Sequence, residues 1–119
     1  MINNMICKQD DSLLKVLEII DKNALGIVFV TNTEKKLCGT VTDGDIRRAL
    51  LSDVKLDEKV INIISKEFVY GSVNDSYETL ISMIDHRVKV IPLVDKDLKI
   101  LDYFEYKQDT YFPVAIPNL

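Results

Sequence analysis

The sequence is sparing with the residues that cross-link a chain, bind metals or anchor it in a bilayer. It holds two cysteines and one histidine in 119 residues. Cys7 and Cys38 lie far apart, form no CxxC unit and have only His86 for company. The usual zinc and redox spacings are therefore missing, and buried, reduced thiols are expected. The longest apolar stretches, Leu25 to Val30 and Val88 to Val94, are broken by charge or turn residues far short of the ~20 residues of a membrane span. Met1-Ile-Asn-Asn has neither the basic region nor the apolar core of a secretory signal, so a cytoplasmic chain without membrane contact is expected. A basic surplus is also lacking. The formal charge of -4 argues against a general nucleic-acid binder, which needs many Lys and Arg on one face. One local basic spot can still hold one phosphate group.

What is present is the balance of a globular protein, 47% hydrophobic and 29% charged, with an internal repeat. Asp11-Ser12 followed by Ile20-Asp21 recurs as Asp75-Ser76 followed by Ile84-Asp85, displaced by 64 positions. After each Asp-Ser comes an amphipathic stretch, Leu13 to Ile20 and Leu80 to Ile84, read as a helix with Asp or Ser at its N-cap. His86 and Arg87 end the second of these helices in this reading. Each helix leads to a β-branched strand, Gly26 to Val30 or Val90 to Val94, then to a polar turn and a second strand, Leu37 to Thr42 or Leu98 to Tyr103. Short extended pieces, Met5-Ile-Cys7 and Phe68-Val-Tyr70, precede the helices. The expected fold is α/β, two pseudo-twofold-related β-α-β-β-α repeats spanning 1–56 and 57–110, with 54–64 as a packed connector. Each half is too small for a comfortable core of its own, so the halves pack on each other and the cleft between them is the natural ligand site.

The most informative segment is Gly39-Thr-Val-Thr-Asp-Gly-Asp-Ile-Arg-Arg-Ala-Leu50, a strand that passes directly into a helix. Unpaired N–H groups and the positive helix end at such a corner favour an anion such as phosphate. Thr42 adds a hydroxyl, and the Asp45 carboxylate can accept from the two hydroxyls of a ribose. The same spacing, Thr, two spacers and an acid, is that of an ordinary helix capping box. Gly39 and Gly44, which allow close approach and an uncrowded corner, favour the ligand reading. No nucleophile and base stand together, and Asp43, Asp45 and Asp57 form no metal-ligand cluster, so any metal would arrive with nucleotide phosphates.

Together with Ile19-Ile-Asp-Lys-Asn-Ala-Leu-Gly26 and the strand that follows it, this segment resembles the first CBS domain attached to bacterial sugar-nucleotide pathway enzymes. The resemblance covers nearly the whole chain. It implies a Bateman module, two CBS copies that hold AMP, ADP, ATP or a related adenosine compound and catalyse nothing, with no cofactor required. It places Asp45 on the ribose, Thr42 on a phosphate or the ribose, and backbone near Ile27 and Val28 against the adenine. Lys89 reaches the phosphates across the cleft, and Gly39, Thr40 and Arg47 complete the candidate site. For Arg47 and Arg48, a phosphate grip and a solvated helix face both remain open. Aligning Leu98 with Leu37 puts Ile100, Tyr103 and Tyr106 where Gly39, Thr42 and Asp45 stand, so one nucleotide per chain at most is expected. The Pro-containing tail 111–119 reads as a linker. In the resembling proteins a nucleotidyltransferase follows, although 113–119 looks more like the opening of a PLP-dependent sugar aminotransferase. The rival reading is a dimerisation module that pairs through its apolar helical faces and carries a vestigial nucleotide site.

Overall fold

The computed structural model describes residues 2–65 and 67–107; the expected linker, 111–119, lies outside them. Copy one runs β1 (Ile6–Lys8), α1 (Leu13–Asn23), β2 (Ile27–Thr31), β3 (Leu37–Thr42) and α2 (Asp43–Leu51). A 3-10 turn at Val60–Asn62 leads to copy two: β4 (Gly71–Ser72), α3 (Tyr77–Ser82), β5 (Val90–Val94) and β6 (Ile100–Glu105). Each copy builds a three-stranded sheet with its middle strand parallel to the first and antiparallel to the third. Among the described residues no helix is long and apolar enough to cross a membrane.

The repeat seen in the sequence is a repeat of hydrogen bonds. Ser12 Oγ accepts from Lys15 N at 3.1 Å and caps α1; Ser76 Oγ accepts from Thr79 N at 3.1 Å and caps α3. Asp11 and Asp75 are not the caps. They accept from the N–H groups of Lys8 (2.9 Å) and Ser72 (2.8 Å), closing the turn between strand and helix. In α1 the buried residues Leu13, Val16 and Ile20 form one stripe that packs on the sheet. Each such side chain contributes about 1.5–3 kcal/mol relative to exposure.

The sheets are sided by the period of two along each strand, broken in β3 by a bulge at Cys38 that turns Leu37 to the opposite face from Val41. Val28, Val30 and Val41 face the helices with Ile46 and Val60. Phe29 and Leu37 face the other way and join Met5, Val90 and Val94 in a second cluster, which holds the two sheets together. The connector packs on copy one: Val60 is buried in its core, Ile63 and Ile64 lie against it, and Val60 N donates to Asp11 O at 2.8 Å.

The structure departs from the sequence reading in three places. The first strand of copy two is Gly71–Ser72, directly after Phe68–Tyr70, because pairing with Leu93 and Val94 seats Gly71 tightly under Leu80. A Cβ on Gly71 would lie 2.7 Å from Leu80 Cδ2. Helix α3 stops at Ser82, short of His86 and Arg87. Asp85 Oδ1 accepts from Arg87 N (2.7 Å) and Val88 N (2.8 Å), a local turn that competes with further helix.

The third departure is register. Leu98 is not the counterpart of Leu37. Asn32 Oδ1 accepts from Glu34 N and Lys36 N, and Asp95 Oδ1 accepts in the same way from Asp97 N and Lys99 N. The two hairpin turns are thus alike, and Leu98 (φ 63°) matches Lys35 (φ 62°) as the left-handed turn residue. Strand pairing then sets Ile100 opposite Val94 as Leu37 is set opposite Thr31. Asp102, Tyr103 and Glu105 therefore occupy the places of Gly39, Thr40 and Thr42. By the same displacement Gln108, outside the described residues, stands at the position of Asp45.

Candidate functional site

The corner between β3 and α2 faces a cleft of about 650 Å³ between the copies. Copy one contributes Leu25 to Ile27, Thr40, Thr42 to Asp45 and Arg48; copy two's side carries Ser65, Glu67 to Val69 and Arg87 to Val90. Gly26 opens the wall with a positive φ of 77°, which only glycine adopts without strain, and its carbonyl accepts from Asp43 N at 3.1 Å.

At the corner the capping box forms in full. Thr42 Oγ1 accepts from Asp45 N at 3.1 Å, and Asp45 Oδ2 accepts from Thr42 N at 2.9 Å. Arg48, one turn on, donates to Asp45 Oδ1 at 2.8 Å. The corner is consequently better satisfied than its sequence implied. Of its first three N–H groups, only that of Gly44 lacks a protein acceptor among the described residues. A carboxylate has about four lone-pair sites, so one accepting position on each Asp45 oxygen is left for a ligand hydroxyl. The Arg48 guanidinium lies over Gly44, where a Cβ would come within 3.3 Å of its Nη1.

Of the residues expected from sequence, Ile27, Thr40, Thr42, Asp45 and Lys89 line this cleft. Gly39, Val28 and Arg47 do not. Gly39 lies beneath it against the connector, where a Cβ would sit 2.7 Å from Ile64 Cδ1 and 3.1 Å from the Ser65 carbonyl. Val28 is wholly buried in the copy-one core, its backbone paired with Val41. Arg47 pairs with Asp43 at 3.9 Å on the outer side of α2. Lys89 is held by its neighbours: its Nζ lies 5.7 Å from the Tyr106 ring centroid, and its carbonyl accepts from Tyr106 N at 2.8 Å.

Several other residues line the cleft beyond those expected from sequence. Arg48 had a usable signal, since it stands three residues after Asp45 on one helix face. Arg87 reads as a helix end in the sequence and reaches the cleft only through the Asp85 turn. The backbone N–H groups of Arg87 and Val88 hold the exposed Asp85 carboxyl below the usual carboxylate range. Phe68, whose ring centroid is 5.7 Å from that of Tyr70, gives an aromatic wall in place of the expected strand. The thiols are remote from this chemistry. Burial, reinforced by the Asp11 charge, pushes the Cys7 thiol up to about 12, and burial also raises that of half-buried Cys38.

Two like units, each a three-stranded sheet with a capped helix, meet over a strand-to-helix corner. Residues 1–52 match the family described as CBS domain. The structure resembles that of the CBS domain pair of protein MJ0100 in complex with 5′-methylthioadenosine and S-adenosyl-L-methionine. The TM-score is 0.72 at 17% identity, covering 85% of this chain and 80% of the other. Listeria monocytogenes CbpB, solved in complex with c-di-AMP, gives a TM-score of 0.70 at 20% identity over 84% of this chain and 78% of its own. The fold is thus that of a CBS domain pair. An uncharacterized Rickettsia prowazekii protein is 32% identical over 91 residues, 76% of this chain. The chain spans 28% of the length of that curated relative.

Proposed function

We propose that the chain is a regulatory module that binds an adenine nucleotide, AMP, ADP, ATP or a related adenosine compound, in the cleft beside Thr42 and Asp45, and catalyses no reaction itself. The observation that carries this reading is the convergence on one cleft of a ribose-type acceptor, Asp45, with cations from both copies, Arg48, Arg87 and Lys89. The ribose hydroxyls donate to the open positions on Asp45. Arg48 and Thr42 meet the first phosphate near the Gly44 N–H, while Arg87 and Lys89 extend the cationic wall. The adenine lies against Ile27 backbone and the Phe68 ring. The complexes of MJ0100 and CbpB with adenosine-containing ligands support this choice of class.

Because the wall belongs to both halves, 1–56 and 57–110, a ligand that fits one arrangement of the halves better than another shifts their equilibrium. An attached enzyme would read that shift. The likeness of the first copy to the regulatory regions of sugar-nucleotide pathway enzymes points to a cytoplasmic enzyme of that kind, a nucleotidyltransferase or a PLP-dependent aminotransferase. Calorimetric titration with AMP, ADP, ATP and S-adenosylmethionine tests the reading. At least one binds, and Asp45→Ala weakens it ~10-fold or more; absence of binding by all four at millimolar concentration overturns it.

A second reading has its own observation. Leu14 and Leu56 are exposed beside each other, Leu14 N donating to Leu56 O at 3.1 Å, and Leu51 at the end of α2 is 82% exposed. Such a face suits self-association through the helical side of copy one. A concentration-independent monomer in analytical ultracentrifugation removes this reading.

A further inference from the structure

At the opposite end of β2 from the Thr42 corner, a groove of about 870 Å³ opens between β1, the start of α1 and the two hairpin turns. Its floor is apolar, made by half-buried Ile6, Ile19 and Ile100 with buried Cys7 beneath. Its rim is cationic. Lys8 comes from β1, Lys15 from the first turn of α1, Lys35 from the copy-one hairpin turn and Lys99 from the copy-two hairpin turn. Among the described residues, none of these four lysines lies within ion-pair distance of a carboxylate.

The two acids on the same groove are already engaged. Asp10 lies 3.7 Å from Lys59 Nζ, and Asp11 accepts the Lys8 backbone N–H at 2.9 Å. Lys99 is fixed at the seam between the copies. Its Nζ donates to the Glu34 carbonyl at 2.9 Å, and Leu37 N donates to Leu98 O at 2.9 Å. In a chain of net charge -4, four ammonium groups outside any ion pair among the described residues stand around one concave floor against the two carboxylates of Asp10 and Asp11, which leaves the rim with a cationic surplus. The groove's volume is in the range of small-molecule sites.

We propose that this groove is a second ligand site, separate from the nucleotide cleft, and that it takes a small polyphosphate anion. Lysine ammonium groups act as point charges on phosphate oxygens without demanding one fixed geometry, which suits a flexible phosphate chain. An anion held by Lys8, Lys15 and Lys35 of copy one and Lys99 of copy two ties the two hairpins together, a route to the copy interface that does not pass through Thr42 or Asp45.

The test is a titration of the full chain with inorganic tripolyphosphate, followed by amide chemical shifts. Saturable shifts centred on Lys8, Lys15, Lys35 and Lys99 are expected, unchanged in Asp45→Ala. The Lys15→Glu, Lys99→Glu pair should weaken binding about tenfold or more. All four lysines are on the surface or the seam rather than in the core, and Lys15→Gln with Lys99→Gln, which removes charge without reversing it, gives an intermediate loss if the fold is intact. No saturation below about 10 mM, shifts confined to the Thr42 to Arg48 corner, or indifference to the charge reversal each overturns the proposal.

Discussion

The two copies share a hairpin and part company where it ends. In copy one, β3 stops at Thr42, whose side chain and that of Asp45 cap α2 reciprocally. In copy two, β6 stops at the matching residue, Glu105, but the sequence there offers no hydroxyl in the place of Thr42 and a glutamine, Gln108, in the place of Asp45. The cores differ accordingly. Val28, Val30 and Val41 are 0% exposed beneath α1 and α2. Of their counterparts Ile91, Leu93 and Phe104, only the first is buried, and the Phe104 ring meets the exposed Tyr77 ring edge-on at 5.7 Å. A repeat therefore preserves its turns more faithfully than its ligand corner. The turn is fixed by one Asx side chain and its neighbours' N–H groups, whereas the corner needs a cap, a glycine and a helix in succession.

The largest effect expected from this contrast is on stability. Gly39→Val drives a side chain into Ile64 and the Ser65 carbonyl and should cost about 2–3 kcal/mol in thermal or urea denaturation. Asp102→Val at the matching exposed position should stay within about 0.5 kcal/mol. Equal losses at both positions would show that the copies are equally packed there. Next comes the nucleotide cleft. Asp45→Ala should cut nucleotide affinity ~10-fold or more while Glu105→Ala leaves it unchanged, and calorimetry with the two variants side by side decides whether only copy one binds.

Smaller still is the cap. Thr42→Ala should cost about 1 kcal/mol because it breaks one arm of a reciprocal box, and Ser76→Ala, a single-bond cap on a six-residue helix, should cost less. For Asp85 the sign follows from its depressed folded-state pKa. Its contribution is present above the ordinary carboxylate pKa and is lost as pH falls through the acid range. At neutral pH, Asp85→Ala should loosen the turn that carries Arg87 to Lys89 and weaken nucleotide binding about threefold, with faster amide exchange at Arg87 and Val88 as the direct readout.

The least effect on function is expected at the thiols. At mild alkaline pH an alkylating reagent should label Cys38 well before Cys7. The raised Cys7 pKa adds a sign of its own: the unfolded thiol ionises near 9 and the folded one near 12, so this contribution to stability is intact below pH 9 and lost as pH rises toward 12. A denaturation series across that range checks it, with Cys7→Ala removing the slope.

By itself the sequence determined the duplication, the strand–helix–strand–strand order within each copy, the Asp-Ser pairs that open the first helices and the Thr42 to Asp45 corner. All of these are short-range signals, carried by side chains that bond within a few residues of themselves. Four of the eight expected site residues, Ile27, Thr40, Thr42 and Asp45, reach the cleft for the same reason, since β3, its corner and the strand beside it are local to one another, and Lys89 joins them from copy two. Only the tertiary structure decided the rest. The seating of Gly71 depends on β5 and Leu80, and that of Gly39 on Ile64, contacts from distant parts of the chain. The register of the second hairpin turned on which residue takes the left-handed φ, a choice that Leu98 hides because apolar residues rarely make it. Arg87 and Phe68 join the cleft through a turn and a seam between copies, and no periodicity along one strand or helix encodes what a second sheet will bring against it.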